Sequence, residues 1–239
     1  MQMNEKESES SEGFGWKAIL RFVIYLLLMP MVLFIAAGTL HWTMGWVYVI
    51  LSLGFTAVSR ILVFRTNPDM LKERARSLDA ENVKRWDKIL LVFAAILGPL
   101  TIFVVAGLDV RFSWSQDISI AIRLLALLGV IIGYMIGGWA MVANKFFSAM
   151  VRIQKERHQF TVSDGPYKIV RHPGYAGGIL TLLSTPLMLG SLWAILPAVL
   201  VMCLVIVRTY LEDKTLQEEL EGYKEYSTKV RFRLLPGIW

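Results

Sequence analysis

The chain is organised by apolar runs of about 20 residues, the length an α-helix needs to cross a roughly 30 Å hydrocarbon core. Four such runs are Ala18–Gly38, Met44–Val63, Ile89–Ala106 and Ile118–Val142. A fifth, from Gly178 to Val207, is longer and is interrupted by Pro186, Gly190-Ser191 and Pro197. Within hydrocarbon every backbone N–H and C=O has to be satisfied internally, which for segments of this length means helices. Hydrophobic residues make up 55% of the 239 positions. The sequence therefore predicts an all-α integral membrane protein with about six membrane-embedded helices: four full spans, a C-terminal helical hairpin, and then a cytoplasmic helical tail.

The hairpin follows from charge. Lys and Arg gather in the 60–88 loop, in the 143–177 segment and from Arg208 onward, whereas the connections near His41 and Asp109–Asp117 carry only Arg111. Basic residues favour the cytoplasmic side. Both termini and both basic segments are thus expected on the cytoplasmic face of the cell (inner) membrane, which requires an even number of crossings. The 178–207 run then turns back near Gly190-Ser191 with two short or tilted arms; a single kinked crossing is the alternative. A net charge of +6, clustered in this way, matches loops facing anionic lipid rather than nucleic acid. The single cysteine, Cys203, excludes an intrachain disulfide, a Cys-based zinc site and a redox pair. His41 and His158 have no partner at ligand spacing, so no metal is expected. No obligate protein partner is evident.

Three regions follow. Residues 1–13 are polar, Ser/Glu-rich and too poor in apolar groups to fold. Residues 14–143 hold the N-terminal transmembrane helices and the 60–88 loop, where Asn67-Pro68-Asp69 is expected to cap a short interfacial helix with Met70, Leu71 and Leu78 toward the membrane. Gly129, Gly133, Gly137 and Gly138 place the fourth helix centrally, because small residues four apart let helices approach closely. Residues 144–239 hold the unusual chemistry. Gly165-Pro166-Tyr167 makes a turn, and Arg171-His172-Pro173-Gly174-Tyr175-Ala176-Gly177-Gly178 opens directly into an apolar helix. Beyond the hairpin comes Arg208-Thr209-Tyr210-Leu211-Glu212-Asp213, where Arg208 and Glu212 share a helix face. The hairpin brings this exit back to Arg171-His172, and ionisable groups converging at a membrane boundary mark a functional site.

These two blocks, with Leu220-Glu221-Gly222-Tyr223, Tyr226 and Arg233-Leu234-Leu235-Pro236, resemble the signature of the isoprenylcysteine carboxyl methyltransferase family. The related phospholipid N-methyltransferases share much of it. Asn67-Pro68-Asp69 and Trp86-Asp87 resemble a loop of bacterial members. One departure is Glu212-Asp213, where the family usually has two glutamates. The resemblance implies an S-adenosylmethionine-dependent methyltransferase acting on a lipophilic or prenylated acceptor among membrane lipids, such as an isoprenylcysteine-like carboxylate. Alternatives are a phospholipid or small-lipid N- or S-methyltransferase, an NADPH-dependent sterol-type reductase and a non-catalytic lipid-binding protein. By resemblance, Arg171, Arg208 and Glu212 are the catalytic candidates. His172, Tyr175 and Glu212 bind the cofactor, with Tyr167, Gly177 and Leu235 as scaffold or backbone contacts. Arg171, Arg208 and Asp213 face the acceptor, the arginines holding a carboxylate in bidentate fashion; orienting an arginine is the other role open to Asp213. Plainer roles are a capping or hydrogen-bonding His172, an interfacial Tyr175, a Glu212–Arg208 pair and headgroup contacts of the arginines. Asn144 and Gln154 are further candidates for the cofactor's polar end.

Overall fold

A computed structural model describes residue 24, residues 27–70, residue 73 and residues 83–239. The expected disordered tail, the start of the first span at Ala18, and Leu71 and Leu78 lie outside the described residues. The chain is an all-α integral membrane protein. In order come α1 (Leu27–Ala37), α2 (Thr43–Thr66), α3 (Arg85–Phe112), α4 (Ile120–Ala143), α5 (Pro173–Leu189), α6 (Ile195–Glu219) and α7 (Tyr223–Lys229). Of these, α2, α3, α4 and α6 are each long and apolar enough to cross a membrane.

Residues 173–219 form the expected hairpin. Helix α5 ends at Gly190, whose φ of 85° lies in the left-handed region that glycine enters at no steric cost. The arms are unequal in length. Helix α5 has 17 residues, but α6 runs 25 residues without a break and carries Arg208 to Glu219 as helix. The turn is fastened to the same end of α3. Asp109, 2% exposed, accepts from the Ser115 N–H at 2.7 Å and from the Ser191 hydroxyl, and Ser115 Oγ accepts from the Leu192 N–H at 2.9 Å.

All six long helices contribute to one apolar core, including Leu33, Tyr48, Phe103, Val130, Met188 and Ala198. Helices α4 and α5 pack most extensively, and their glycines are the reason. A Cβ on Gly177 would sit 2.5 Å from the Gly133 carbonyl oxygen, and one on Gly133 would sit 2.6 Å from the Gly177 carbonyl oxygen. Gly137 and Gly178 differ, since a Cβ on either would meet nothing within 4 Å. Met70 is fully buried in protein, so it does not face the membrane as expected.

Helix α3 is not uniform. Pro99 has no N–H for the Ala95 carbonyl, and the turn before it widens into a π-helical stretch, Val92–Leu97, closed by a Gly98 N–H to Phe93 carbonyl bond. The glycine geometry gives a direct prediction for thermal unfolding in detergent. Gly177→Ala is expected to cost about 1–3 kcal/mol through overpacking, whereas Gly178→Ala is expected to be neutral or stabilising by up to about 1 kcal/mol through helix propensity.

Candidate active site

The site is assembled where α3 begins, α4 ends, α5 begins and α6 ends. Two carboxylates with no exposed surface, Asp213 and Asp87, hold it together. Asp213 on α6 accepts from Arg171 Nε at 2.7 Å, Arg171 Nη2 at 3.0 Å, Arg233 Nε at 2.8 Å, Gln217 Nε2 at 2.7 Å and the Tyr223 hydroxyl at 3.1 Å. His172 Nε2 lies 3.2 Å from the same carboxylate. Arg171 Nη1 donates to the Val230 and Arg231 carbonyls, each at 2.9 Å, so every nitrogen of that guanidinium is engaged. The backbone repeats the link: the Arg171 and His172 N–H groups donate to the Phe232 and Arg233 carbonyls. The tail is thereby locked to the Arg-His-Pro turn. Burial first, and then the Asp213 charge, push the Tyr223 phenol far above its ordinary value, which keeps it a neutral donor.

Asp87, near the start of α3, ties the other wall. It accepts from Arg208 Nε at 2.6 Å, Arg208 Nη2 at 3.2 Å and the Val151 N–H at 2.7 Å. Arg208 Nη2 also donates to the Ala149 carbonyl at 2.6 Å. Arg152 bonds Glu73 and Glu156, adding a second tie between the 60–88 loop and the 144–157 segment.

Between these walls lies a cavity of about 550 Å³, lined in part by Tyr167, Arg171, His172, Tyr175, Arg208 and Glu212. These six expected residues come together. Gly177, Leu235 and Asp213 do not line it: Gly177 packs against α4, Leu235 is 54% exposed, and Asp213 lies behind the wall. Glu212 accepts from the Tyr175 hydroxyl, while Arg208 pairs with Asp87 and lies 5.5 Å from the Tyr175 ring centroid. Among the described residues there is no Arg208–Glu212 ion pair. His172 precedes α5 without a side-chain capping bond and hydrogen-bonds Asp213 instead. Bidentate capture of an acceptor by Arg171 is not open to a side chain so fully engaged. Asn144 and Gln154 line the cavity, but their amides shape its wall, Asn144 accepting from the Phe146 N–H and Gln154 donating to the Phe146 carbonyl.

A second cavity of about 360 Å³ runs between the helices, with apolar lining that includes Met29, Phe55, Ile102 and Val201. The two share Phe147, Gly174, Tyr175 and Gly178.

Sequence reasoning missed Tyr223, Gln217 and Arg233 as partners of one carboxylate. Gln217 was within reach, being four residues from Asp213 on one helix. Asp87 entered only through the Trp86-Asp87 resemblance, although a carboxylate heading an apolar run is a signal in itself. Because Asp213 unites two guanidinium groups, Asp213→Ala is expected to lower stability by about 3–5 kcal/mol through uncompensated buried charge. Leu235→Ala is expected to stay within about 0.5 kcal/mol. Thermal unfolding in detergent separates the two.

Known proteins bear on the same region. Residues 124–218 match the family model described as "Isoprenylcysteine carboxyl methyltransferase (ICMT) family". The chain is similar to "Protein-S-isoprenylcysteine O-methyltransferase B" of Arabidopsis thaliana, with 31% identity over 104 residues, covering 42% of this chain and 53% of the relative. It is also similar to "Probable protein-S-isoprenylcysteine O-methyltransferase" of Oryza sativa subsp. indica, with 29% identity over 109 residues, covering 44% and 57%. The chain spans about half the length of the curated relatives it matches. The matched stretch contains α5 and most of α6, with Arg171, His172, Tyr175, Arg208, Glu212 and Asp213, and over it the chain is similar to the isoprenylcysteine carboxyl methyltransferase family.

Proposed function

We propose that the chain is an S-adenosylmethionine-dependent methyltransferase, working at the cytoplasmic face of the inner membrane on a lipophilic acceptor with an isoprenylcysteine-like carboxylate. The observation that carries this reading is the junction at Phe147, Gly174, Tyr175 and Gly178, where a polar cavity opens onto an apolar one. A reaction between a polar donor and a lipid acceptor needs that arrangement.

The residues present fit the donor. A cavity of about 550 Å³ lies in the usual range for a molecule of that size. Glu212 offers a carboxylate for an ammonium group, and the Tyr175 ring offers an aromatic face for a cation. When bound, S-adenosylmethionine supplies a methyl group already activated by its sulfonium. The protein's contribution is positioning and exclusion of water rather than a covalent nucleophile. The Tyr175 hydroxyl orients Glu212. The Arg171–Asp213–His172 cluster holds the start of α5 against the tail. Gly178, without a side chain, leaves the passage between the two cavities open. The apolar chamber accommodates the acceptor's chain and leaves its polar head at Tyr175.

Titration calorimetry on the protein in detergent tests the donor, and transfer of a labelled methyl group to S-farnesyl-N-acetylcysteine tests the acceptor. Micromolar binding of S-adenosylmethionine, with a product carrying a methyl ester by mass spectrometry, is the expected result. Binding of NADPH in its place would contradict the reading, and label entering phosphatidylethanolamine would reassign the acceptor. Glu212→Gln is expected to weaken donor binding about 10- to 100-fold, the loss of one charged hydrogen bond, with little change in thermal stability.

A further inference from the structure

Asp87 lies outside residues 124–218 and does not line the cavity, yet it is fully buried and takes three donors from two of the cavity's walls. Its principal partner is Arg208. Arg171 has every guanidinium nitrogen engaged. Arg208 differs: Nε and Nη2 are taken by Asp87 and Ala149, and Nη1 has no hydrogen-bond partner among the described residues. This side chain lines the cavity beside Tyr175, at the junction with the apolar chamber. A guanidinium is planar, so a carboxylate gripping its Nε–Nη2 edge also fixes where the remaining N–H bonds point.

Building on the methyltransferase reading, we propose that Asp87 is a positioning residue: it clamps Arg208 so that Nη1 remains available to the anionic head of the acceptor. The Val151 bond gives the same carboxylate a second task, setting the 149–151 wall against that guanidinium. Lysine in place of Arg208 has no edge to be gripped and no fixed plane, so the arrangement is specific to arginine.

The test uses the full chain in detergent or nanodiscs, with Asp87→Asn, Asp87→Glu, Arg208→Gln and the double variant Asp87→Asn/Arg208→Gln. Three quantities are read: melting temperature, S-adenosylmethionine affinity by calorimetry, and kcat and KM for S-farnesyl-N-acetylcysteine. Asp87→Asn is expected to lower kcat/KM for the acceptor roughly 10- to 100-fold, the effect of a misplaced positioning group, while donor affinity is retained. Asp87→Glu recovers part of that loss. The double variant leaves no uncompensated buried charge, so it recovers melting temperature but stays as inactive as Arg208→Gln. If Asp87→Asn does not fold, this charge-neutral pair carries the comparison. Unchanged acceptor kinetics in Asp87→Asn, or activity returning together with melting temperature in the double variant, overturns the positioning role alone. Failure of the unmodified protein to bind S-adenosylmethionine overturns the methyltransferase reading and the inference with it.

Discussion

Two carboxylates stripped of water, Asp213 and Asp87, set the terms for everything at the functional end of the molecule. An ionised carboxylate out of water is costly unless it is paired and its remaining acceptor sites are filled. Each aspartate meets that requirement by drawing on several elements. Asp213 gathers α6, the Arg-His-Pro turn, α7 and the tail. Asp87 joins α3, α6 and the 149–151 segment. The cavity is the space these two clusters enclose. Its shape is a consequence of charge satisfaction rather than of any single helix.

The helices beneath add a second constraint. Glycines in α4 and α5 fall into two groups by what surrounds them. Gly133 and Gly177 bring the backbones together, whereas Gly137 and Gly178 face open space. Close packing and an open apolar chamber are thus built from one residue type at neighbouring positions. The π-helical stretch before Pro99 places Ala94 and Ala95 beside the chamber and the polar cavity respectively. The polar and apolar spaces meet at Tyr175, whose ring and hydroxyl suit one to each.

Much of this was legible in the sequence. Apolar run length gave the helices, the distribution of Lys and Arg gave the hairpin, and turn chemistry at Gly190 gave its tip. Arg171, His172, Tyr175, Arg208 and Glu212 were rightly placed near one another, because a hairpin must return its exit to its entrance. The partners were not legible. Arg208 and Glu212 sit four apart on one helix, yet Arg208 turns to Asp87, 121 residues away in the chain. No local spacing rule reports such a contact. Nor does the sequence distinguish a glycine pressed against a neighbouring helix from one facing a cavity, as Gly177 and Gly178 demonstrate. Met70 misled for a related reason: an apolar residue in a basic loop reads as interfacial whether lipid or protein covers it.

The proposed donor site lies between the 144–154 wall and the facing ends of α5 and α6. Hydrogen–deuterium exchange with and without S-adenosylmethionine tests it most directly. Donor binding at this site would add protection in 144–154 and in the 208–226 region, with none around 109–119 at the opposite end of the helices. Protection confined to 109–119, or no change at any position at saturating donor, would contradict it.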